Sequence, residues 1–152
     1  IPPMTSPVDE MIAALDAFDP DPADAGTVHT LYTITEDFDS LSETEKKRVI
    51  PHMFRVMERG WEADLGSPGP MVHAIETLGV PAYLELLVES VPRRPMYLNL
   101  WMLNRLLNVT QDADARTMLA NLLRAVRDDP KWADVSDVAA DFLKHHGEAE
   151  AG

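Results

Sequence analysis

Cysteine is absent from the 152 residues. That excludes disulfides, iron–sulfur clusters, thiolate zinc sites and cysteine nucleophiles. No apolar run approaches the roughly 20 residues needed to cross a bilayer. No basic stretch followed by an apolar one opens the chain, so no secretory leader is read and the cytoplasm is the expected compartment. No phosphate-cradling glycine loop, G-x-S-x-G or H-E-x-x-H occurs either. Lys and Arg are missing from residues 1–45, which hold 11 Asp and Glu; the other 107 residues hold 15 acidic and 13 basic side chains. Most of the net charge of −13 therefore sits in the first third. Such a field repels nucleic acid and anionic membrane and attracts a basic partner, although solubility alone is a second reading of the same charge. The basic residues form no aromatic-interleaved stripe, which also argues against nucleic-acid binding.

Helical periodicity dominates what is present. From Met96, the residues Met96, Leu100, Leu103 and Leu107 fall on one stripe, and Leu98, Met102, Leu106 and Val109 on a second. Tyr97 and Trp101 begin a third that turns polar at Asn104 and Asn108. A helix apolar on most of its circumference packs on several sides, so this is the expected central helix. Asn99, Asn104, Arg105 and Asn108 are its unexplained polar exceptions. Asn104 and Asn108 are expected to be at least half-buried, and Arg105 to meet a carboxylate such as Glu76, Glu89 or Asp112.

The remaining helices follow from caps and breakers. Ser6-Pro7 with early carboxylates opens one, with Val8, Met11, Ile12 and Leu15 inward. Thr27 to Phe38 has strand-like composition but helical spacing at Val28, Leu31, Ile34 and Phe38, and is read as helix. Ser42-x-x-Glu45 is a capping box. The helix after it carries a core stripe of Ile50, Met53, Phe54, Met57 and Trp61, with a kink expected at Pro51. Lys46, Lys47, Arg48, Arg55 and Arg59 read as its solvated face. Short helices follow around Met71–Leu78 and Val80–Val91, broken by Pro92-Arg93-Arg94-Pro95. Another carries Ala115, Met118, Leu119, Leu122 and Val126 inward, and the last runs from about Val135 to His145, with Trp132 packed just before it. The whole predicts one all-α domain over 1–152, of seven or eight short antiparallel helices, arranged as a small HEAT-like α-solenoid or an irregular bundle. Met4 reads as a natural start, leaving residues 1–4 as an added or disordered extension, and the tail from Gly147 is expected to fray.

Few constellations suggest chemistry. Asp19, Asp21 and Asp24 invite a calcium-loop reading, but the sixth and twelfth loop positions are Asp24 and Thr30 where Gly and Glu are needed. His73-x-x-Glu76 puts an imidazole and a carboxylate on one helix face, as an acid–base pair or metal site requires. A surface pair is the plainer reading, and the partner carboxylates of a di-metal site are missing. His145-His146 are adjacent, so their rings diverge and clamp a metal poorly. No metal and no cofactor is expected. Arg93-Arg94 between prolines is a stiff, exposed basic pair that could grip a partner's carboxylate or simply be solvated.

From Met71 to Val109 the order is a short helix, an acidic helix Y-L-E-L-L-V-E-S-V, a P-R-R-P break, and L-W-M-L-N-R-L-L-N. This resembles the helical immunity proteins of bacterial polymorphic toxin systems, those of contact-dependent inhibition and type VI secretion. A Trp-Met-x-Asn-Arg-x-x-Asn run after a Pro break marks them, matched here by Trp101, Met102, Asn104, Arg105 and Asn108. The likeness covers roughly a quarter of the chain. It implies a protein without catalysis that binds one cognate toxin domain and occludes its active or substrate-binding site. It also implies a monomer that becomes a heterodimer with the toxin. Toxins of this kind often act on nucleic acid or nucleotides and carry basic surfaces, which an acidic inhibitor would engage. If the acidic face is the interface, the candidates are Glu36, Asp37, Asp39, Glu62, Asp64, Glu85 and Glu89, with Arg93 and Arg94 beside them. Trp101, Asn104, Arg105 and Asn108 would either tie neighbouring structure together or floor a groove. The competing readings are a helical-repeat adaptor without a toxin partner and an enzyme using His73 and Glu76.

Overall fold

The computed structural model describes residues 5–148, and every regular element among them is helical. Residues 1–4 and 149–152, on which the expected extension and most of the expected frayed tail fall, lie outside the described residues. The chain divides between Leu86 and Leu87 into two compact units.

The first unit begins with α1 (Pro7–Ala17), where the Ser6 hydroxyl accepts the Asp9 N–H and Pro7 occupies the first turn. The ambiguous segment is α2 (Thr27–Thr35), followed by a 3-10 turn over Phe38–Ser40. Leu31 and Thr35 are buried one turn apart, and the Thr35 hydroxyl returns its proton to the Leu31 carbonyl at 2.8 Å. That bond removes the strand-like character of a β-branched polar residue. The capping box opens α3 (Glu43–Arg59), with Ser42 and Glu45 exchanging N–H bonds at 2.9 and 3.1 Å, and the helix continues through Pro51. Then come α4 (Gly69–Thr77) and the start of α5 (Val80–Arg93). Ile50, Met53, Phe54, Met57, Met71 and Ile75 are fully enclosed and form the centre of this unit.

Helix α1 packs on α2 and α3, and α4 packs on α2 and α3. Two hairpins are thus stacked, first helix on first and second on second, which is how a two-layer solenoid propagates. Polar bonds fix the register. Arg48 reaches Asp9 at 2.9 Å, His52 reaches Asp16 at 2.7 Å, and Arg59 donates to the Leu15 and Phe18 carbonyls at 2.9 and 3.1 Å. Both partners advance together along the chain, so α1 and α3 run parallel. The basic face of α3 is largely solvated as expected, with Lys47, Arg48, Arg55 and Arg59 exposed, and Arg48 and Arg59 additionally bond across to α1 and its end. Arg48, His52 and Arg59 flank the core stripe, and Arg59 covers the carbonyl end of α1, where a cation is favoured. Trp61 leaves the expected stripe and is 40% exposed. The helix stops at Arg59, and the chain turns at Gly60, where a Cβ would stand 2.8 Å from the Pro20 ring.

The second unit holds the end of α5, then α6 (Tyr97–Val109), α7 (Ala113–Asp128) and α8 (Ser136–His145). The expected break at Pro92 comes later, because α5 runs through Pro92 to Arg93 and the irregular residues are 94–96. Helix α6 packs on both α7 and α8, which also pack on each other. Its two leading stripes are buried through Leu107, as the periodicity predicts. Val109 departs from them at 70% exposed, because the helix ends there and Thr110 turns away. On α7 the buried stripe is Leu119, Ala120, Leu123 and Val126, while Met118 is 40% exposed. The face is rotated towards the following residues, which brings Arg124 inward.

Asn99 is explained by packing after all. It is fully buried, and its side-chain oxygen accepts the Met96 N–H at 2.8 Å while its amide donates to the Ser90 hydroxyl and the Arg94 carbonyl at 3.2 and 3.0 Å. The Met96 sulfur lies 3.2 and 3.4 Å from the amides of Leu98 and Asn99, standing where a cap oxygen usually does. At the other end Gly147 and Glu148 are tied back by hydrogen bonds to the Lys144 and Leu143 carbonyls. Glu148 takes Arg124 on both its carboxylate and its carbonyl, at 3.0 and 2.9 Å, and Arg116 at 3.8 Å. Among the described residues no helix is long and apolar enough to cross a membrane.

Candidate functional site

The turn after α2 carries Glu36, Asp37 and Asp39, all exposed. Among the described residues none of their carboxylates has an ion pair or hydrogen bond. Glu36 runs against the local electrostatics, whereas Asp37 and Asp39 stand at the start of the 3-10 turn, where acids are favoured. Helix α2 ends here, so its last carbonyls present partial negative charge, and its final turn has no basic residue. Helices α1 and α3 open on acids, Asp9 and Glu10 in one and Glu43 and Glu45 in the other, and Arg59 closes α3, while α1, α4 and α6 end like α2 without a basic residue in the last turn. Asp9, on the neighbouring α1, is satisfied. The Ser6 hydroxyl and the Arg48 guanidinium hold the Asp9 carboxyl below the ordinary carboxylate range.

Two shallow clefts share the turn. One, of about 170 Å³, is lined by Tyr32, Thr35, Glu36, Phe38, Asp39, Pro70, His73 and Ala74. The other, of about 140 Å³, is lined by Pro7, Glu10, Met11, Ala14, Ile34 and Asp37. Tyr32 is 56% exposed and stands one helical turn before Glu36, so its ring and that carboxylate lie on the same face. Lys46 places its ammonium 5.6 Å from the centre of the buried Phe38 ring. Tyr32 was overlooked in the sequence. Its signal was the four-residue step to Glu36, visible only once residues 27–35 are taken as helix.

The other acidic candidates in this unit differ in role. Glu62 and Glu85 are exposed, and Asp64 spends one oxygen on the Gly66 N–H at 3.0 Å. Asp21 and Asp24 close turns in the same way on Ala23 and Gly26, at 2.9 and 2.7 Å. His73 is an exposed wall of the larger cleft, whereas Glu76 is half-buried. Among the described residues no three of His, Asp and Glu gather into a group that could hold a metal ion.

In the second unit, Glu89 and Arg93 are exposed. Arg94 corrects the expectation of an exposed basic pair. Its side chain is only 16% exposed, bonds Asp134, and stacks 4.9 Å from the Trp132 ring centre. The aromatic and the carboxylate together draw a weakly hydrated guanidinium inward. Trp101 is half-buried beneath the Arg105 guanidinium, 5.1 Å from its ring centre. Asn104 lies 2.7 Å from His146 and ties α6 to the end of α8. Asn108 is exposed rather than half-buried, since it falls in the last turn of α6 beside the exposed Val109. The run Trp101–Asn108 is therefore split between a stacked surface pair, a helix tie and a solvated amide. Burial pulls the His146 pKa below its ordinary 6.5, helped by the charges of His145 and Arg116 and opposed by Asn104 and Glu148. His145 and His146 meet edge to face, with ring centres 4.9 Å apart.

Compared with known proteins, the chain matches no family model, no curated protein and no solved structure.

Proposed function

We propose that the chain is a stoichiometric inhibitor, the immunity member of an effector–immunity pair. In this reading it covers the active or substrate-binding site of a basic toxin domain and has no catalysis of its own. One observation carries the reading: Glu36, Asp37 and Asp39 present three exposed carboxylates, unpaired among the described residues, on one turn, with Glu36 at the negative end of α2. Stability alone favours a cation there. A basic surface docked on the turn relieves that repulsion, so the arrangement makes sense as half of an interface. Chains break local rules mainly where function requires it. Complementary charge speeds encounter, and an exposed tyrosine beside the acids supplies the kind of anchor that dominates interface energies. Glu62, Asp64 and Glu85 extend the negative field of the same unit. The resemblance of residues 71–109 to toxin-neutralising proteins supports the choice of partner.

Co-expression with toxin domains encoded beside the chain tests this. Rescue of growth from one toxin, with a complex that survives gel filtration, is the expected outcome. Reversing Asp37 and Asp39 to Lys should weaken that complex at least about tenfold, ~1.4 kcal/mol, mainly through slower association at low salt. Unchanged affinity after the reversal would remove the acidic turn from the interface. A helical-repeat adaptor is the second reading, favoured by the stacked hairpins of the first unit. It predicts several partners and little salt dependence.

A further inference from the structure

We propose that the larger cleft seats a single arginine side chain of the basic partner, and discriminates it from lysine. This rests on the reading that a basic protein docks at the turn after α2. The cleft is the right scale, since a cavity of about 150 Å³ already admits a benzene-sized molecule and this one measures about 170 Å³. That admits one planar group on a flexible stem, not a helix or a strand.

Its walls match a guanidinium in kind. Phe38, Pro70 and Ala74 are buried and apolar, Tyr32 offers an exposed ring, and Glu36 and Asp39 place carboxylates in the lining. A guanidinium is weakly hydrated, stacks on aromatic faces and presents a rigid fork of donors to carboxylates, whereas an ammonium is a strongly hydrated point charge. Entering a cleft with apolar walls therefore costs the guanidinium less, and it can bond both acids while lying against the tyrosine. His73 completes the wall.

Two facts argue for a cation rather than for an apolar occupant. The acids lining and adjoining the cleft, Glu36, Asp37 and Asp39, are unpaired among the described residues, and Glu36 stands at the negative end of α2. In addition, an aromatic of this same wall already holds a cation, because Lys46 lies over Phe38. That ammonium offsets only part of the charge of three carboxylates. The same constellation appears in the second unit, where Arg94 lies between the Trp132 ring and the Asp134 carboxylate. There the chain supplies both halves; at Tyr32 it supplies the aromatic and the acids and leaves the guanidinium to the partner.

The test uses the full chain and two fluorescent peptides, octa-arginine and octa-lysine, in fluorescence anisotropy titrations. The arginine peptide should bind at least about fivefold more tightly, although both carry equal charge. Tyr32→Leu, which keeps an apolar side chain, should abolish that preference while leaving lysine binding in place. Glu36→Gln with Asp39→Asn should lower both affinities, and Asp114→Asn with Asp141→Asn, exposed acids on α7 and α8, should change neither preference nor affinity more than slightly. Equal binding of the two peptides, or a preference that survives Tyr32→Leu, overturns the proposal. Rescue from a toxin together with equal peptide binding would sink the arginine seat and leave the inhibitor reading standing. Preference lost in Tyr32→Leu without rescue by any toxin would do the reverse.

Discussion

Replacing Glu36 by Lys should make the protein more stable. Glu36 is the C-terminal cap of α2, exposed, with no basic residue in the preceding turn. A charge in that position interacts with the helix end by about 0.3–1 kcal/mol at low ionic strength. Glu36→Lys removes a repulsion and adds an attraction, and it also relieves the like charges of Asp37 and Asp39. A gain of about 0.5–1.5 kcal/mol follows. For a chain of this size that corresponds to a rise in Tm of about 1–5 °C. The mirror experiment is Glu43→Lys in the first turn of α3. There the acid sits at the favourable end and pairs with Lys47 at 3.4 Å, so its reversal should lower Tm by a similar amount. Both melts are to be followed by far-ultraviolet circular dichroism in low-salt buffer and again at about 0.5 M salt, where screening lengths fall well below 10 Å and both shifts should shrink. Failure of Glu36→Lys to stabilise at low salt, or a gain that salt leaves untouched, would refute the electrostatic account of the turn. The same variant should bind its partner less well, so stability and binding move in opposite directions at one residue.

Asn99→Leu should lose about 2–4 kcal/mol, because the Met96 N–H and the Arg94 carbonyl are left without their partner in a buried site; urea midpoints measure it. Arg59→Ala should lose about 1–2 kcal/mol in the same assay through the two carbonyls it covers at the end of α1, and Arg59→Lys should recover only part of this. His146 gives a pH dependence of definite sign. Its native pKa lies below its unfolded one, so its contribution is level at alkaline pH. Below about 6.5 the unfolded ring takes up a proton that the native ring resists, and stability falls until the native ring titrates too. His146→Gln, compared with the parent across that window, should show a shallower loss; identical slopes would contradict the burial of the ring. Tyr32→Leu should leave Tm within about 1 °C of the parent, since an exposed side chain contributes little to folding.

Helix positions and apolar stripes were legible in the sequence because period, caps and breakers are local properties. Ser42-x-x-Glu45 and Ser6-Pro7 fixed two helix starts, and the stripes Met96–Leu107 and Leu98–Leu106 are the buried faces of α6. Where a helix stops relative to its stripe was less legible, so Trp61, Val109 and Met118 were misplaced. Each sits at or near a point where the chain turns or the packed face rotates, and that is decided by tertiary neighbours. The polar pairings were not legible at all. Arg48 with Asp9, Arg94 with Asp134 and Arg124 with Glu148 join residues 39, 40 and 24 positions apart. No spacing rule foretells such partners. The acidic turn was visible as charge, but its significance was not, because an acid is ordinary until the end of α2 is known to point at it.

The clasp of Glu148 on Arg124 gives the chain a temporal order. Arg124 is 91% enclosed, its Nε has no acceptor among the described residues, and beyond one bond to Asn121 its compensation comes from a residue made 24 positions later. At about 5–20 residues per second, the interval is roughly 1–5 s of synthesis. Until it passes, α7 carries a guanidinium that cannot be enclosed without leaving a charge unanswered, a state worth several kcal/mol in the wrong direction.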